Sequence, residues 1–293
     1  MAAISRKINW YPGHMDKARR KISEKLNMVD MVLELRDARI PFSSSNPQLK
    51  EMLDNQELLV VLNKKDLAQP RETKKWIEVI GKSYPAAACN SKTGKGSSEI
   101  VNKIEELGRQ LAEKRREKGI AAREVRVMVV GVPNCGKSSL INSLSKRSGA
   151  KTGKKPGVTR GQQWIKVAEN IKIMDTPGLL WPDIEDREQG LKLAMCGSVK
   201  PEVVDTVLLS CRLLDYLREI NPSAIEKRYD VKIHGEEHSY DLMADIGRQR
   251  GCLQSGGRVD RNRAGSIVIR EFQEGKLGRA TLETVEDFAD EED

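Results

Sequence analysis

The sequence predicts an α/β fold: a mostly parallel six-stranded sheet followed by a small all-α domain. Three observations predict it. Six short runs rich in Val, Ile and Leu recur up to Met174, separated by stretches of helical pattern. These runs are continuously apolar rather than alternating, as expected of parallel strands covered on both faces. Beyond Trp181 the strand signal stops and only helical patterns remain.

The runs are Met28–Leu35, Leu58–Leu62, Tyr84–Cys89, Val125–Val130, Gln163–Val167 and Ile171–Met174. Ahead of them, Met15–Met28 puts Met15, Ala18, Ile22 and Leu26 on one helical stripe. Lys17, Arg19, Arg20, Lys21 and Lys25 lie elsewhere on that helix, a basic face either solvated or turned to RNA. Ser97–Lys118 reads as a helix with a charged exit. In the second part, Pro201–Glu219 reads as an amphipathic helix with Pro201 at its favoured first position and Val204, Leu208 and Leu214 inward. Ser239–Arg250, closed by Gly251, and Ala264–Phe272 are further helices. The boundary falls near Asp186, giving domains 1–185 and 186–293.

The 293 residues suffice for one large α/β domain and a smaller one. The net charge of +8 is unevenly spread. Residues 1–185 carry 35 Lys and Arg against 21 Asp and Glu, a balance of +14. Residues 186–293 carry 16 against 22, and the tail Glu286–Asp293 alone supplies six carboxylates. A region at +14 attracts polyanions such as nucleic acid. Aromatics at 4% argue against a base-stacking platform for single strands. Cys89, Cys135, Cys196, Cys211 and Cys252 show no metal spacing, which fits reduced thiols in a cytoplasmic protein. No apolar run approaches 18 residues and no signal-peptide segment opens the chain, so no membrane association is expected. His234 and His238 sit four apart, but Gly235 and the misplaced glutamates argue against a zinc site.

Val125–Val130 runs directly into Gly131-Val-Pro-Asn-Cys-Gly-Lys-Ser138, and the helical Ser139–Leu144 follows. In this strand–loop–helix context, consecutive N–H groups of Asn134, Cys135, Gly136, Lys137, Ser138 and Ser139 form a phosphate nest. Lys137 reaches the β- and γ-phosphates, and the Ser138 hydroxyl suits Mg²⁺. Asp175-Thr-Pro-Gly178 closes the last run: Asp175 can hold Mg²⁺ through water and the Gly178 N–H can touch the γ-phosphate. Between them the basic Lys151–Arg160 loop carries Thr159, the natural second protein ligand for Mg²⁺.

Asn63-Lys64-Lys65-Asp66 closes the second run. Asp66 can accept from both the ring N1–H and the exocyclic amine of guanine, which adenine does not offer, so GTP and GDP are the expected ligands. Asn90-Ser91-Lys92 after the third run supplies backbone groups for the base carbonyl. Here the base-reading motifs precede the phosphate loop, the reverse of the usual order. The same sheet forms if the helix 97–118 reconnects to the phosphate-loop strand, which makes this a circularly permuted P-loop GTPase domain. The segment that senses the γ-phosphate then leads directly into the helical domain.

This order, with Tyr11-Pro-Gly-His-Met15, resembles the YlqF/RbgA family of circularly permuted ribosome biogenesis GTPases. The resemblance spans nearly the whole chain, including Arg248-Gln-Arg-Gly-Cys252 and Gly275-Lys-Leu-Gly-Arg279. It implies a monomeric, Mg²⁺-dependent GTPase that binds the large ribosomal subunit precursor in its GTP state. It further implies a late maturation step, release on hydrolysis, and rRNA contact by the C-terminal domain. Leu179 stands where many GTPases have a water-orienting Gln, and the resemblance gives that role to His14. Asn134 resembles the P-loop Asn of GTPases that use K⁺ in place of an arginine finger. Asn90-Ser91 departs from the family's Ser-Ala, with little consequence because the backbone does the binding. Arg248, Arg250, Arg258, Arg261 and Arg263 surround Gly256-Gly257 and suit RNA phosphates. Two other classes compete: a nucleotide-gated RNA-binding protein with negligible catalysis, and a signalling GTPase acting on a protein. The +14 balance favours RNA over the latter.

Overall fold

The structure, a computed structural model, describes residues 23–121, 123–147, 164–176, 184, 186–199, 204–235 and 238–291. Six strands form one sheet: β1 (Met31–Asp37), β2 (Glu57–Asn63), β3 (Ala86–Ala88), β4 (Val125–Val130), β5 (Trp164–Ala168) and β6 (Ile171–Asp175). Their order is β3-β2-β1-β4-β6-β5. All pairings are parallel except that of β5 with β6. The expected six-stranded, mostly parallel sheet is present.

The continuous apolar runs are explained by the two layers that cover the sheet. Met31, Leu33 and Leu35 of β1, Leu59 and Val61 of β2, and Val127 and Val129 of β4 enter one hydrophobic cluster. Their neighbours Val32, Leu58, Val60, Leu62, Met128 and Val130 enter the other. The first layer includes α3 (Ser97–Glu117) and α4 (Lys137–Arg147), following α1 (Leu49–Met52) and α2 (Pro70–Gly81) in the chain. Trp76 and Ile80 of α2 line the second cluster.

A run of helices follows: α5 (Arg187–Met195), α6 (Thr206–Ile220), α7 (Pro222–Tyr229), α8 (Ser239–Gln249) and α9 (Arg261–Gln273). Asp186, where the sequence sets the boundary, caps α5 by accepting from the Glu188 N–H. The first hydrophobic cluster continues without a break into this region through Leu191, Leu209, Val268 and Phe272.

Two readings of the sequence are corrected. The helix expected at Pro201–Glu219 begins only at Thr206. There the Asp205 carboxylate accepts from Leu208 N–H at 2.8 Å, a stronger start signal than a proline. Leu214 is buried as expected, together with Leu209, Leu213 and Leu217, and Val204 is buried just ahead of the helix, whereas Leu208 is only half-buried. In the acidic tail, Glu286–Glu291 forms a 3₁₀ turn, with Phe288 stacked on Phe42 at 4.1 Å. Just before it, the fully buried Glu283 accepts from Phe42 N–H at 2.8 Å and from the Ser43 hydroxyl, so the chain end returns to the sheet domain. Of the expected N-terminal helix, residues 23–26 are described and are helical. Pro201 lies outside the described residues. Among those residues, no helix is long and apolar enough to cross a membrane, and no group of three or more His, Cys, Asp and Glu gathers to hold a metal.

Candidate active site

Because β1–β4 and β6 are parallel, the loops leaving their carboxyl ends share one edge of the sheet, where such folds place ligands. Asn63 ends β2, Asn90–Lys92 follows β3, Gly131–Ser138 follows β4 and Asp175 ends β6. Motifs far apart in the chain thus become neighbours.

Asn63 is the joint between them. Its side-chain N–H donates to the Cys135 carbonyl in the phosphate loop at 2.7 Å and to the Ser91 hydroxyl at 3.0 Å. Its oxygen accepts from Ser91 N–H at 3.0 Å. Gly136, at φ +104°, lies so close that a Cβ there would collide with the Asn63 amide, so the phosphate loop requires glycine at this position. Asn90 holds its own turn by accepting from Lys92 and Thr93 N–H. Lys65 donates to the Ala88 carbonyl at 2.9 Å, and Arg279 donates to the Asp66 carbonyl at 3.2 Å. A groove of about 630 Å³ runs between Ser91–Gly94 and the α4 residues Ser139, Asn142, Ser143 and Lys146.

In the phosphate loop, Lys137 is buried and folds back to donate to the carbonyls of Gly131 and Val132 at 3.1 and 3.0 Å. Burial pushes the Cys135 thiol up, so it is a poor nucleophile. Asn134 adopts a left-handed backbone at φ +59° and donates to the Gly197 carbonyl, just past α5, at 2.7 Å. The Ser138 hydroxyl donates to Asp175 at 3.0 Å. Two hard oxygen donors this close, at a helix N-terminus beside a phosphate nest, suit Mg²⁺, with Ser138 as a ligand and Asp175 holding it through water.

Residues 126–234 match the family model described as 50S ribosome-binding GTPase. Over 285 residues the chain is 42% identical to Ribosome biogenesis GTPase A of Bacillus cereus, covering 97% of this chain and 96% of that one. The chain belongs to the ribosome biogenesis GTPase A family, also called YlqF/RbgA. Its Thermotoga maritima counterpart is 34% identical, with 96% of each chain covered. The crystal structure of GNP-bound YlqF from T. maritima matches with a TM-score of 0.65 at 28% identity, covering 92% of this chain and 98% of that one. As a YlqF/RbgA member the protein is a GTPase with a circularly permuted P-loop domain and a helical C-terminal region.

Several expected site residues of this family member lie outside the described residues: His14, Thr159, Gly178 and Leu179. The arginine cluster divides. Arg248, Arg258 and Arg263 are exposed, with Arg248 paired to Asp245. Arg261 stacks over Tyr240 at 4.0 Å. Arg250 is committed inward, 3.6 Å from Glu271 and over the Tyr229 ring at 5.0 Å.

The sequence reading missed Asp37 and Arg39. Both are 1% exposed, and Arg39 grips Asp37 through two bonds of 3.0 and 2.8 Å. Burial opposes both charges, yet their pairing and Lys64 hold Asp37 well below the usual carboxylate range, and Asp37 holds Arg39 above its own. Charged residues directly ending a buried strand were the available signal.

Proposed function

We propose that this GTPase binds the large ribosomal subunit precursor in its GTP state, promotes a late maturation step and leaves after hydrolysis. The observation that carries this is 42% identity to Ribosome biogenesis GTPase A of Bacillus cereus along 97% of the chain. The +14 balance of residues 1–185 suits a cytoplasmic partner built of rRNA. Asp66 reads guanine, within a pocket formed by Asn63, Lys64, Lys65 and Asn90–Lys92. The nest Asn134–Ser139 receives the phosphates, and Lys137 exchanges its carbonyl partners for their oxygens.

Ser138 and Thr159 would hold Mg²⁺ directly and Asp175 through water, and the ion would supply charge neutralisation at the β- and γ-phosphates. The Asn134 side-chain oxygen is the atom a K⁺ ion would take, its nitrogen being engaged by Gly197. The Leu179 side chain offers no polar atom, so His14 orients the attacking water, and the Gly178 N–H faces the γ-phosphate. The helical domain from Asp186 is tied to the phosphate loop through Asn134 and Gly197, a route by which nucleotide state reaches it. Arg258 and Arg263, with Arg248, meet rRNA phosphates.

Sedimentation of the monomeric protein with large-subunit particles tests this proposal. Binding is expected with a non-hydrolysable GTP analogue and loss of binding with GDP. His14→Ala should bind GTP yet slow particle-stimulated phosphate release roughly ten- to a thousandfold and remain on the particle. Equal sedimentation with both nucleotides would overturn the cycle.

A further inference from the structure

The loop Asn63–Leu67 is held from several sides. Ala38 N–H donates to the Asn63 carbonyl at 2.8 Å and Lys65 N–H to the Cys89 carbonyl at 3.1 Å. Ala280 N–H donates to the Leu67 carbonyl at 3.0 Å. One tie differs in kind. Lys64 reaches the carboxylate of Asp37 at 2.8 Å, making an ion pair with a side chain that is itself 1% exposed. Lys64 is also one of only three non-glycine residues with positive φ among the described residues, at +61°. Such a backbone persists in a lysine only where its surroundings over-determine it.

Asp37 does not need Lys64 for its own neutralisation. Arg39 already occupies both its oxygens, lies over the Phe272 ring at 4.9 Å, and gives its carbonyl to Leu282 N–H at 2.8 Å. Arg39 is thus the buried, permanent partner, and Lys64, at 23% side-chain exposure, is the partner at the ligand edge. The Asp37–Arg39 pair is a fixed post, anchored to the C-terminal helices, to which the lysine of the guanine loop is tethered.

We propose that Asp37 is a positioning residue for guanine recognition: it pins Lys64 and thereby holds the left-handed turn between Asn63 and Asp66. The proposal rests on the reading of Asn63–Asp66 as the guanine site. Losing a charge-assisted bond of this kind corresponds to roughly a ten- to hundredfold loss of affinity. A structural residue outside the loop would not show a loss confined to the base.

The test is a double-mutant cycle on the full chain, reading fluorescent GDP, IDP and ADP affinities. Asp37→Asn is expected to weaken GDP at least tenfold and narrow the preference for GDP over IDP. In a Lys64→Ala background the same change should have less than a twofold effect. Asp37→Asn with Arg39→Met removes both buried charges, guards against misfolding and should show the same loss as Asp37→Asn alone. An equal loss in both backgrounds, or none in either, would overturn the proposal. Wild-type protein that binds ADP as tightly as GDP would overturn the guanine reading itself, and the proposal with it.

Discussion

The side-chain nitrogen of Asn63 lies 2.7 Å from the main-chain carbonyl oxygen of Cys135, a bond that joins the guanine loop to the phosphate loop across 72 residues of chain. Neither loop is then set independently. Asn63→Ala removes that donor and the one to Ser91, and leaves the buried Cys135 carbonyl without it. A loss of about 1–3 kcal/mol is expected. GDP and GTP affinity should fall together by roughly tenfold or more in calorimetry, with the melting temperature lowered. Unchanged affinity would mean that the loops hold their places without this bond.

Asp66 is expected to set base choice. Asp66→Asn replaces an acceptor pair with one acceptor and one donor, so GTP should weaken and the xanthine nucleotide gain relative to it. Competition of GTP, XTP and ATP against a fluorescent analogue measures this. A wild type that fails to discriminate GTP from ATP would exclude Asp66 as the reader.

The buried Asp37 cluster predicts acid sensitivity with a definite sign. Burial raises the Asp37 pKa, but Arg39 and Lys64 more than reverse this, so its folded value lies below its unfolded one. A depressed carboxylate contributes stability that is complete above the unfolded pKa of about 4 and is lost as pH falls below it. Denaturant midpoints from pH 7 down to pH 3 should therefore drop less steeply in Asp37→Asn/Arg39→Met than in the wild type. Parallel slopes would show that other carboxylates govern acid unfolding.

The arginines should not behave alike. Arg258→Ala with Arg263→Ala should leave stability within about 0.5 kcal/mol. The same change should flatten the salt dependence of particle binding by roughly one unit per lost phosphate contact. Arg250→Ala should instead destabilise the helical region, because it strips the guanidinium from the Tyr229 ring and leaves buried Glu271 with Arg228 as its one paired arginine. Thermal melts and sedimentation at several salt concentrations separate the two outcomes.

The sequence alone determined the chemistry and its order. Phosphate and guanine motifs are local: a few residues at a fixed spacing, each on a strand–loop unit whose apolar run is visible by itself. Their permuted order along the chain, and the sheet that follows, were legible for the same reason. The tertiary structure decided which of these local units touch. Lys64 meets Asp37 because β1 and β2 are neighbours in the sheet, and Asn63 meets Cys135 because the phosphate loop after β4 lies against the end of β1; no periodicity encodes strand order. Glu283 meets Ser43 across 240 residues because the chain end folds back over the sheet domain, a contact that no local pattern records. Thr206, not Pro201, starts α6 because a carboxylate cap satisfies backbone donors that a proline merely omits. Composition and spacing report what each segment can do, whereas partners distant in the chain are chosen by packing.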